Sequence, residues 1–189
     1  GISAFGLVFL SLFSALLVSK DRCTAFIIRL YASPLKPSGY ILGYTVPLIP
    51  MALLQTLVTC LFALIFGLSF SANILLAAGG GGLFCLYISI GLLCGTAFSD
   101  KMVGIICGAV LTNLSAWLSN IWFDISLVGG AFQKIAEFLP FIHCVNALRA
   151  TLEGNYSQII PELLWVFGYA AVIFACAVLL FNRRMKQDK

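Results

Sequence analysis

Uncharged apolar runs alternate with short charged segments along this chain. No charged residue falls in 1–19, Pro37–Ser99, Met102–Phe123 or Leu163–Asn182. A bilayer core about 30 Å thick takes roughly 20 helical residues. Pro37–Ser99 is long enough for two crossings and each other run for one, which predicts five helical spans over 2–19, 46–68, 77–98, 102–121 and 162–182. Transmembrane β-strands would show short alternating segments in place of continuous apolar runs. The expected fold is all-α, a polytopic helical membrane protein with one transmembrane domain covering 1–189.

Between the first two spans, KDRCTAFIIRLYASPLKPSGY predicts a short amphipathic helix over 21–33. Phe26 with Leu30, and Ile27 with Tyr31, are i,i+4 pairs forming an apolar stripe, while Arg22 and Arg29 lie on another face. Ser33-Pro34 ends the helix, because proline disfavours helical backbone in the residue before it. Lys36 to Gly39 turns the chain back and brings Tyr40 and Tyr44 to interface depth. By pattern alone this helix either lies in the membrane surface or docks on a partner, and the surface position is the default.

Residues 124–161 also stay apolar after the fourth span. Phe132, Ile135, Ala136 and Leu139 form a helical stripe that stops at Pro140. Phe141, Val145, Leu148 and Leu152 form a second, ending near Gly154-Asn155. Neither piece is long enough to cross a bilayer at 1.5 Å per residue. An outer re-entrant hairpin is the expected structure, with its turn covered by protein or water.

Composition excludes several classes. The chain is 61% apolar and 10% charged, with a mean hydropathy of +1.06, whereas soluble domains are about a quarter charged. Disorder and a basic nucleic-acid-binding face are excluded on the same grounds. The net charge of +4 is an orientation signal. With the N-terminus outside and the C-terminus cytoplasmic, nine of the eleven basic residues fall inside, and only Lys134 and Arg149 lie outside. An odd number of spans with that orientation, in a chain that starts at Gly1 within an apolar run, points to the C-terminal portion of a longer protein lacking its first crossing.

Candidate chemistry is sparse. The seven cysteines form no C-x-x-C pair, so small buried hydrophobes are expected in place of a disulfide framework or metal site. His143, the single histidine, reads as packed or interfacial in preference to a proton relay. Glu137, Arg149 and Glu153 read as a solvated helix face, with Arg149 and Glu153 spaced i,i+4. Gln55 and Asn113 are the main polar side chains at membrane depth; they either bond between helices or line a translocation path. Gly91-x-x-x-Gly95 and Gly104-x-x-x-Gly108 permit close helix packing. Gly79–Gly82 lacks the Lys-Ser/Thr pair of a phosphate-binding loop. Trp117, Trp122, Trp165 and Tyr169 suit an outer interfacial belt. No catalytic constellation is present, and no ionisable group sits near a span centre, as an ion-coupled carrier would require. Any energy must then come from a partner.

From Leu16 to Gly67 the chain resembles the permease subunits of ABC-2 type transporters, on Arg29-Leu30, Ser33-Pro34, Tyr40 and Gly43. The remainder fits as well: two spans joined by the short inner loop Asp100-Lys101, an outer re-entrant segment, and a last span ending in basic residues. Many members carry an acidic residue before the arginine, where this chain has Ile28. The resemblance implies that 21–33 is a coupling helix meeting an ABC ATPase subunit, with Arg22, Phe26, Arg29, Leu30, Ser33 and Pro34 as the coupling residues. It also implies a second permease half as homodimer or heterodimer, ATP and Mg bound by the partner and not by this chain, and a bacterial cell membrane. The expected function is export of an amphiphilic or apolar substrate (drug, peptide or lipid) by alternating access. The alternative class is a passive pore or structural subunit without an ATPase; a neighbouring ATPase gene discriminates the two.

Overall fold

Seven helices account for nearly all of the described residues, with no strand among them. The computed structural model describes residues 2–22, 37–65, 82–122, 125, 129–152 and 156–187. The helices are α1 (Ile2–Arg22), α2 (Pro37–Ile65), α3 (Gly82–Ala97), α4 (Asp100–Leu118), α5 (Gly130–Phe138), α6 (Pro140–Leu152) and α7 (Tyr156–Gln187). Three segments among the described residues are long and apolar enough to cross a membrane: Gly39–Thr59, Asp100–Leu118 and Ser157–Arg184. Leu83–Ala97 is apolar and shorter. The 21-residue α1 carries its only charges, Lys20, Asp21 and Arg22, in its last turn.

Local chemistry sets the helix boundaries. α2 and α6 each open on a proline, whose fixed φ and missing N–H suit the first helical position. Pro140 also holds Leu139 extended (φ −83°, ψ 150°), which breaks the outer segment into two short helices. α4 stops where Asn120 adopts φ 57°, the left-handed conformation that asparagine tolerates. The Asn120 side-chain oxygen then accepts the Ile125 N–H at 3.2 Å. Within α4, Gly104–Leu111 widens into a π-helix, and Thr112 Oγ1 donates to the Cys107 carbonyl at 3.1 Å. Pro47 and Pro50 lie inside α2, a placement that membrane helices accept.

α3 is the central helix, packed against α1 on one side and α7 on the other, with α2 against α1 and α6 against α7. Leu10, Leu86, Tyr87, Ile88, Leu92 and Phe181 are fully buried along these contacts. Small residues let α1 and α3 approach closely: a Cβ on Gly91 would lie 2.3 Å from the Ser11 carbonyl oxygen, and one on Gly95 2.6 Å from that of Ala15. Ser14 Oγ donates across the same seam to the Ile88 carbonyl at 3.2 Å. The second glycine pair makes no such approach. Among the described residues, nothing lies within 4 Å of a Cβ on Gly104, and one on Gly108 meets only Leu12 at 3.8 Å.

The opposite faces are apolar and exposed. Leu54, Phe62, Leu164, Val172 and Leu179 are each about 60% exposed, which water would penalise and lipid does not. Among the described cysteines, Cys85, Cys94, Cys107, Cys144 and Cys176 are all free, and Cys107 and Cys144 are buried. The chain is a helical membrane protein.

Candidate functional site

Five helix ends meet where α1 finishes. α3 ends without a basic residue in its last turn, so its terminal carbonyls take cations from other helices. Arg22, the last residue of α1, donates from one Nη1 to the carbonyls of Gly95 at 2.9 Å and Thr96 at 2.6 Å, with Phe98 at 3.4 Å. Arg184 of α7 donates to the Ala97 carbonyl at 2.6 Å. Cations belong at a helix C-terminus, where the unpaired carbonyls carry partial negative charge.

The same end gathers α2 and α4. Tyr44 donates to the Asp21 carboxylate, and the Tyr40 and Tyr44 hydroxyls lie 2.6 Å apart. The Tyr40 ring stacks on Phe181 of α7, with centroids 4.5 Å apart. Ser19 Oγ donates to Asp100 Oδ1 at 3.1 Å. Both flanks of residues 23–36 are therefore tied into one polar latch: Asp21 and Arg22 on the entry side, Tyr40 and Tyr44 on the exit side.

The coupling residues expected from sequence divide accordingly. Arg22 sits in the latch, whereas Phe26, Arg29, Leu30, Ser33 and Pro34 lie outside the described residues. Gln55 is half-buried, with its amide nitrogen 2.4 Å from where a Cβ on Gly6 of α1 would sit. Asn113 is exposed and donates to the Ala109 carbonyl of its own helix at 2.8 Å. The two polar residues thus share no partner: one meets α1 and the other folds back on α4.

The far end carries a second polar cluster. His143 of α6 bonds Glu162 of α7 through Nδ1, and Nε2 lies 2.8 Å from the Glu137 carbonyl of α5. Asn146 donates to Glu162 Oε1 at 3.4 Å, Arg149 to the Asn120 carbonyl at 2.6 Å, and Tyr169 to the Phe138 carbonyl at 2.8 Å. Trp165 lies between His143 and Tyr169, at 5.6 and 5.9 Å. A cleft of about 390 Å³ opens beside the cluster, lined by Asn146, Arg149, Ala150, Gln158, Pro161 and Glu162. Burial pushes the Cys144 thiol up to about 12, and the nearby Glu162 charge adds to the rise. Sequence reasoning singled out His143 and Arg149 but missed Glu162, which lies 19 residues from its partner. No periodicity links positions on two different helices. Glu153, the expected i,i+4 partner of Arg149, lies outside the described residues.

No curated protein and no solved structure gives a significant match to the chain. A family model described as "ABC-2 family transporter protein" matches residues 1–179. That match covers nearly the whole chain and agrees with the helical membrane architecture, so the chain belongs to the ABC-2 transporter family as a permease.

Proposed function

We propose that this permease is the transmembrane half of an ATP-driven exporter for amphiphilic or apolar cargo in a bacterial cell membrane. An ABC ATPase would dock on residues 21–33, and a second permease half would complete the translocation path. The observation that carries the reading is the latch. A displacement of the segment between Arg22 and Tyr40 pulls on α1 and α2 directly, and through Arg22 and Phe181 on α3 and α7. A rigid polar joint of this kind is what an ATPase movement needs to reach a whole bundle.

The charge distribution supports placing the latch in the cytoplasm, because Lys20, Arg22, Lys101, Arg183 and Arg184 all lie at that end. The N-terminus of this chain is then outside and its C-terminus cytoplasmic. The uncharged spans support an amphiphilic cargo over a strongly charged one.

The test is co-reconstitution of the full-length permease with its ATPase in liposomes, followed by ATP turnover and cargo movement. An Arg29→Ala/Leu30→Ala variant is expected to insert normally and hydrolyse ATP without moving cargo. Full transport by that variant would sink the coupling assignment.

A further inference from the structure

We propose that His143, Glu162 and the Glu137 carbonyl form a binding site for one proton, which joins the α5–α6 hairpin to α7. A backbone carbonyl only accepts, so the 2.8 Å contact to Glu137 requires the hydrogen on His143 Nε2. A neutral ring of that tautomer presents a lone pair at Nδ1. That lone pair faces a Glu162 carboxylate oxygen, and an ionised carboxylate also only accepts. The contact is a hydrogen bond only when one more proton sits between the two atoms.

Imidazolium with carboxylate, and neutral imidazole with carboxylic acid, hold the same number of protons. Either form satisfies both ring nitrogens, so the bound species is a single proton exchanged with water. The adjoining cleft supplies the route. Glu162 lines it, and its side chain is 23% exposed against 12% for His143. Exchange therefore runs through the carboxylate side.

The surrounding groups leave the joint as the titrating unit. On α5, the Glu137 carboxylate is bonded by Gln133 at 2.7 Å, and Lys134 is exposed. On α6, Cys144 stays protonated and Arg149 is held by Asn120 at the cleft. On α7, Tyr169 is bonded to the Phe138 carbonyl, and on α3 the buried Tyr87 lies against Phe141 of α6. The parts of α1 and α4 packed on α6 bring no ionisable side chain among the described residues. With the proton bound, three helices are joined. As the proton leaves, lone pair faces carboxylate and this one tie between the hairpin and α7 is lost, while the Asn146–Glu162 and Tyr169–Phe138 bonds remain.

His143 is the single histidine of this sequence, so ¹⁵N-histidine labelling of the full-length protein in lipid nanodiscs, with the signal lost in His143→Gln assigned to this ring, reports it. Spectra are compared between about pH 5 and about pH 9. In the wild type, Nε2 is expected to keep its hydrogen throughout while Nδ1 loses its proton in one step. Glu162→Gln is expected to remove the carboxylate from the Nδ1 contact, so that the Nδ1 signal moves while Nε2 keeps its hydrogen. A wild-type ring with hydrogen on Nδ1 and a bare Nε2 would overturn the proposal. So would an Nδ1 signal unchanged by Glu162→Gln. The wild-type tautomer is read without Glu162→Gln, so misfolding of that variant leaves the test intact.

Discussion

Gly91 of α3 sits so close to Ser11 of α1 that a Cβ added to it would lie 2.3 Å from the Ser11 carbonyl oxygen and 2.7 Å from the Ser14 Cβ. Backbone cannot swing aside as a side chain can. Gly91→Ala therefore forces the two helices apart, and overpacking of that kind costs about 1–3 kcal/mol. Gly104→Ala meets open space and removes a flexible glycine from a helix, so it is expected to be neutral or stabilising by up to about 1 kcal/mol. Gly6→Ala falls between them, because the atom it meets is the far end of the Gln55 side chain. Thermal unfolding of the three variants in detergent checks the order. A Gly91→Ala protein as stable as Gly104→Ala would remove the close α1–α3 seam.

Arg22 joins two helix ends that both carry negative partial charge, its own and that of α3. Arg22→Ala leaves the Gly95 and Thr96 carbonyls without this donor, a loss of about 1–3 kcal/mol for hydrogen bonds to a charged group. Arg22→Lys keeps the charge but not the fork, and it is expected to recover only part of the loss. In liposomes with the ATPase, Arg22→Ala should slow transport more than ATP turnover. Equal losses of both would make Arg22 a stabilising residue with no part in transmission.

The contrast between the glycine pairs and the latch shows what the residues alone reveal. Fold class follows from uncharged runs, because lipid excludes charge along the whole length of a crossing. The break at Pro140 follows from proline stereochemistry, which is local. Which G-x-x-x-G motif packs closely is not local: Gly91 faces Ser11 and Ser14, Gly95 faces Ala15, and Gly104 faces nothing among the described residues. The family resemblance points to Arg22, yet its partner Thr96 lies 74 residues away. Glu162 went unnoticed for the same reason, since its role depends on where α6 lies against α7.

Tyr44 and Asp21 form the exit-side tie of the latch, and their energies should be coupled. Tyr44→Phe removes the hydroxyl that serves both Asp21 and Tyr40. Each single change, Tyr44→Phe or Asp21→Asn, is expected to destabilise by about 1–2 kcal/mol. The double variant should lose less than their sum, by about 0.5 kcal/mol or more, as residues in one hydrogen-bond network do. A double-mutant cycle on thermal unfolding measures this, and strict additivity would mean that the two residues do not share a bond.

Cys144 tests the packing of the hairpin against the bundle. It is buried on α6, and desolvation holds its thiol up to about 12. The thiolate is the reactive form, and a raised value keeps the thiol protonated at every pH up to about 11. Alkylation by a water-soluble reagent at pH 8 should leave Cys144 unmodified in the folded protein and label it after unfolding. Raising the pH to about 9 should not change this through ionisation of the thiol. Peptide mass spectrometry locates the label. Rapid modification of Cys144 in the wild type at pH 8 would mean that α6 does not pack against the bundle as described.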